Sequence, residues 1–122
     1  MSKFLHTLAI SIAFLITFSS TSAFQMPDID LPEGFSIKVL TDQVPGARSM
    51  ALGDKGTLFV STRRAGKVYA VSGIYSEPEV LTIASGLYMP NGVAFKDGNL
   101  YVAEIHRVHK FEDIENRLNA PK

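Results

Sequence analysis

The 122-residue sequence predicts an all-β fold, a partial β-propeller of about two blades that follows an N-terminal export signal. Three observations predict it. Two stretches of the chain repeat one another at a register of about 42 residues, close to the period of propeller blades. The same kinds of Gly/Asp turn divide both copies. The segments between those turns are short and rich in β-branched and aromatic residues.

Taken in chain order, residues 1–23 read as a signal peptide. Lys3 supplies the positive start, Leu8 to Phe18 is an apolar run, and Thr21 and Ala23 are the small residues that precede a cut after Ala23. The run is too short to span a bilayer, which needs about 20 apolar residues, so no membrane span is expected once the signal is removed. Residues 24–33 are an extended leader, and residues 34–122 form an incomplete propeller domain with blade repeats near 48–84 and 91–111. A periplasmic or secreted location follows from the signal.

Within the leading edge of the domain, Phe35 to Leu40 alternates like a strand but has no inner strands before it. It reads as the outer strand of a last blade, contributed by the N-terminus to fasten a ring. In the first repeat, strand A is Met50 to Leu52, strand B Thr57 to Thr62, strand C Lys67 to Val71 and strand D Glu79 to Ala84. The second repeat supplies A at Val93 to Phe95, B at Leu100 to Glu104 and C at Arg107 to Phe111, with no fourth strand expected. Ala51 matches Ala94, and Leu58 and Val60 match Leu100 and Val102. A small sandwich or barrel would also alternate, but the matched register favours the propeller. Because propellers close with about four to eight blades, further blades or a partner chain are expected to complete the ring, and poor solubility is expected without them.

Composition narrows the function. Twelve basic residues balance twelve acidic ones, leaving no electrostatic footprint for nucleic acid. The absence of cysteine removes thiol redox chemistry and Cys-based zinc sites. Strand direction places the B to C turns and the D to A approaches on one face of the disc, at the mouth of its channel. Arg48, Arg63, Asn91, Glu104 and His106 are the channel-face candidates for contacting a bound cofactor there. No residue is assigned as catalytic or as a metal ligand.

Each candidate also has a plainer role. Arg63 and Arg64 read as solvated loop charges, and Asn91 in Pro90-Asn91-Gly92 as a turn former whose side chain bonds nearby backbone. Glu104, directly after an apolar run, is expected to be partly buried and paired with Arg63 or Arg107, with structural pairing ahead of catalysis. His106 could act as a base, although a lone loop histidine is more often inert. His106 and His109, three apart on strand-like sequence, would face opposite ways and could not share a zinc ion.

The wording of the repeats is specific: Leu31 to Phe35 (LPEGF), Pro45 to Leu52 (PGARSMAL), Arg64 to Tyr69 (RAGKVY), Ala84 to Phe95 (ASGLYMPNGVAF) and Leu100 to Glu104 (LYVAE). From about Leu31 to Leu118 the chain resembles the start of sorbosone dehydrogenase-like proteins in the glucose/sorbosone dehydrogenase family. That resemblance implies a six-bladed propeller in the periplasm that oxidises a sugar with pyrroloquinoline quinone (PQQ) and calcium, and passes electrons to an acceptor. The family's catalytic histidine, calcium ligands and most quinone contacts come from later blades, so none is carried over and the piece alone is expected to be inactive. PNGVAF followed by LYVAE is similar also to calcium-dependent sugar lactonases, in which an asparagine at the Asn91 position helps hold the metal. A non-catalytic binding propeller is the third reading, and a truncated gene product is a further possibility.

Overall fold

A computed structural model describes residues 29–122. The signal peptide expected at residues 1–23 lies outside the described residues, as does the start of the expected leader. The described chain is all-β apart from one short 3-10 turn. Seven strands run in sequence: β1 (Ser49–Leu52), β2 (Leu58–Ser61), β3 (Val68–Ser72), β4 (Glu79–Ala84), β5 (Gly92–Lys96), β6 (Asn99–Ala103) and β7 (Val108–Phe111). A 3-10 turn at Ile114–Asn116 follows them. The expected strands are all present at these positions, with the exception of Phe35 to Leu40.

Two antiparallel meanders result, β1-β2-β3-β4 and β5-β6-β7. Their registers are equivalent. Val60 pairs with Tyr69 and Ser61 with Val68 in the first sheet, while Val102 pairs with His109 and Ala103 with Val108 in the second. The turns that set these registers are the expected ones: Gly56 at φ 84° closes the β1–β2 hairpin, and Asp97 and Gly98, both at positive φ, close the β5–β6 hairpin.

The sheets stack face to face, and their approach concentrates on β1 and β2 against β5. Alternation along each strand turns Phe59, Val68 and Ala70 of the first sheet toward Leu100 and Val102 of the second, all buried in one cluster. Phe59 and Phe95 stack across the interface with ring centroids 5.8 Å apart and planes 9° from parallel. Fully burying each such side chain contributes about 1.5–3 kcal/mol, so this shared core is what holds the sheets together. Two stacked meanders that meet through their inner strands are consistent with neighbouring propeller blades.

The opposite face of the first sheet carries a second cluster, Val60, Tyr69 and Val71, against which Leu40 and Val44 pack. Phe35 to Leu40 forms no ladder among the described residues, and Phe35, Ile37 and Val39 are exposed; the last blade that the sequence reading gives it as a partner is not among those residues. Alternation states which side a strand would bury, but a strand forms only where a free sheet edge lies alongside to take its N–H and C=O groups. No such edge lies beside this segment among the described residues.

After β7 the chain does not add a fourth strand. Ile114 of the 3-10 turn is fully buried and joins the inter-sheet cluster. The carboxylate of the next residue, Glu115, accepts from the Lys55 N–H at 3.1 and 3.0 Å and from the Thr57 N–H at 3.3 Å, in the β1–β2 hairpin. Gly53 leaves room for the carboxylate in this position: a Cβ there would stand 2.4 Å from Glu115 Oε1 and the side chain would have to shift. The tail thereby ties the second sheet to the hairpin end of the first.

Candidate functional site

The B to C turns and D to A approaches converge at the opposite end from Glu115, as strand direction requires. Backbone hydrogen bonds fix this end. Arg48 N–H donates to the Ser61 carbonyl (2.9 Å), and at the equivalent place in the second sheet Asn91 N–H donates to the Ala103 carbonyl (3.1 Å). The Ser61 hydroxyl then donates to the Asn91 carbonyl at 2.7 Å, linking the two sheets. Leu87 N–H donates to the Gly66 carbonyl (3.0 Å), and a Cβ on Gly66 would stand 2.6 Å from the Leu87 oxygen, so only glycine fits there.

Glu104 is the centre of this end. Its side chain is completely buried. Its carboxylate accepts from Arg107 Nε at 2.8 Å, contacts His109 Nε2, and accepts the backbone N–H of Tyr88. The hydrogen bond with His109, opposed by burial and supported by Arg107 and Tyr88, lowers its pKa from the ordinary 4.5 to about 2. A carboxylate held so far below neutral pH, with its oxygens occupied, is a poor proton acceptor. Its work is to tie β6, β7 and the loop before β5 into one unit. The loop carries strain at the same point: Met89 adopts φ 52° directly before Pro90, a conformation disfavoured for a residue that precedes proline.

The five candidates separate. Glu104 is buried and paired with Arg107; Arg63 is exposed and forms no ion pair among the described residues. Arg48 is exposed and engaged through its backbone. Asn91 is likewise exposed, and its hydrogen bonds run through its main chain, not through the side chain as the turn-forming reading held. His106 is exposed and lies beside Tyr88, with ring centroids 5.8 Å apart. Asn91 and Glu104 border a shallow open groove of about 320 Å³, together with Met89, Gly92, Ala103 and Ile105. Arg48, Arg63 and His106 do not line it.

Sequence reasoning missed His109 as a partner of Glu104, although the signal was present. Val102 pairs with His109, and Glu104 lies two residues beyond Val102, so both side chains belong to one face of the β6–β7 hairpin. Among the described residues no three His, Asp or Glu side chains gather to hold a metal ion. No helix among them is long and apolar enough to cross a membrane. Neither a protein-family model nor a curated protein matches the chain.

Proposed function

We propose that residues 34–122 supply two neighbouring blades of a six-bladed propeller of the glucose/sorbosone dehydrogenase type, exported to the periplasm or secreted, whose complete form oxidises a sugar. The observation that carries this reading is the pair of stacked meanders of equivalent register, joined through their inner strands. The wording of the repeats supports the choice of class.

The residues described do not build a site for PQQ or calcium. Glu104, the buried carboxylate at the channel end, is already saturated by Arg107, His109 and Tyr88. The remaining candidates are exposed and dispersed. The redox chemistry belongs to groups outside residues 29–122, and the part assigned to this chain is the wall of the channel.

Joining residues 24–122 to the downstream blades of a sorbosone dehydrogenase-type propeller, with PQQ and calcium added, is expected to give sugar-dependent dye reduction. The two-sheet unit alone is expected to give none. A folded chimera that binds the quinone yet oxidises no aldose and no sorbosone overturns the reading. Calcium-dependent hydrolysis of sugar lactones, abolished by Asn91→Ala, would assign the propeller to the lactonases instead.

A further inference from the structure

The interface between the two sheets is half of a repeating pattern, and its other half is open on the second sheet and partly covered, over Val60, by Leu40 and Val44 on the first. By the register of the sheets, Phe59 corresponds to Tyr101, Ala51 to Ala94, Ser61 to Ala103 and Val68 to Val108. The first member of each pair lies on the face of the first sheet that packs on the second. The second member lies on the outer face of the second sheet. There Ala94, Tyr101, Ala103 and Val108 line an open groove of about 250 Å³, with Val108 67% exposed.

The complementary half is on the outer face of the first sheet. Met50, Leu52, Leu58 and Val60 correspond to Val93, Phe95, Leu100 and Val102, the residues through which the second sheet packs on the first. Met50 and Leu52 are 62% and 53% exposed, and Leu40 and Val44 cover only part of this face. A third observation is independent of these faces. The second sheet has three strands against four in the first, leaving the outer edge of β7 unpaired among the described residues. The alternating segment Phe35 to Leu40, which has no ladder partner, leads into the outer face of the first sheet through Leu40.

We propose that the two-sheet unit associates with second and third copies of itself, head to tail. The outer face of β5–β7 in one copy packs on the outer face of β1–β4 in the next. Phe35 to Leu40 of that next copy adds to the free edge of β7. Each new contact repeats the sheet-to-sheet interface already inside the chain, with Tyr101 and Leu52 taking the places of Phe59 and Phe95. Such an interface is heterologous, so it closes into a ring only when the rotation fits. Three copies place six sheets around the axis, within the range that propellers use. The choice of three rests on the six-bladed reading above, whereas the head-to-tail contact does not.

The test is covalent capture in a chain that has no cysteine of its own. Residues 24–122 carrying Leu52→Cys and Tyr101→Cys, treated at micromolar protein with a flexible bis-maleimide that spans the roughly 10 Å between stacked sheets, are expected to give one discrete product of three chains with no free thiol. Light scattering of the unmodified unit is expected to give the matching threefold mass. Ile37→Pro, an exposed change that removes a strand-pairing N–H, is expected to abolish the trimer while leaving a monomer that circular dichroism still shows folded. A monomer by light scattering, a terminal covalent dimer, or a trimer indifferent to Ile37→Pro overturns the proposal. All three readouts are masses, so they stand apart from any assay of sugar oxidation: a folded chimera without turnover counts against the dehydrogenase reading alone, and turnover in a chimera does not rescue a monomeric unit.

Discussion

Thr62 and Glu104 occupy the same place in the two sheets, directly after the second strand of each meander, and close their turns in different ways. The Thr62 hydroxyl donates to the Lys67 carbonyl at 2.8 Å and accepts the Lys67 N–H at 2.9 Å, so the first turn is satisfied within itself. In the second sheet the Glu104 N–H donates to the nearer Arg107 carbonyl, which frees the carboxylate to reach Arg107 Nε, His109 and the Tyr88 N–H. The approaching loop explains the difference. Arg48 and Asn91 make equivalent backbone bonds, which sets Pro45 opposite Tyr88. Proline has no N–H to offer, so a hydroxyl suffices in the first sheet; tyrosine offers one, and in the second a carboxylate meets it. A short neutral closure fixes one turn, and a charged closure fixes a turn, a strand and a loop together.

Breaking the charged closure is expected to have the largest effect. Glu104→Ala leaves a guanidinium, an imidazole and the Tyr88 N–H without their shared acceptor and is expected to lower the Tm by on the order of 10 °C in calorimetry. Acid sharpens the contrast next. The folded-state pKa of Glu104 is depressed to about 2 from 4.5, so its stabilisation is fully present above about pH 4.5 and is lost as pH falls toward 2. Denaturant midpoints measured across that window are expected to fall in the native chain, and Glu104→Gln is expected to flatten the decline. A smaller loss, about 1–2 kcal/mol, is expected for Thr62→Val, which deletes two neutral hydrogen bonds of a buried hydroxyl; its acid limb should match that of the native chain. Pro45→Ala, at an exposed loop position, is expected to shift stability least, by less than about 1 kcal/mol, and to leave the Glu104 closure intact.

Much of the fold was legible because a strand announces itself locally. Glu79–Ala84 has the bounds that its β-branched run and flanking turns imply, and the other strands shift by a residue or two at their ends. Phe35 to Leu40 shows where local pattern stops: its alternation is intact, yet pairing depends on an edge that sequence does not position. At the site, burial of Glu104 followed from the apolar run before it, and Arg107 was one of the two cations in view. His109 required the hairpin register as well as the alternation. The Glu115 contact had no comparable signal, because a three-residue 3-10 turn leaves almost no periodicity to read.

The claim on which the rest depends is that two sheets of equivalent register stack through their inner strands. Nuclear Overhauser contacts in residues 24–122, with phenylalanine rings selectively labelled, test it directly. The account predicts strong contacts between the Phe59 and Phe95 rings, together with cross-strand contacts pairing Val60 with Tyr69 and Val102 with His109. Absence of the ring contact, or cross-strand contacts joining β4 to β5 in one continuous sheet, would contradict it.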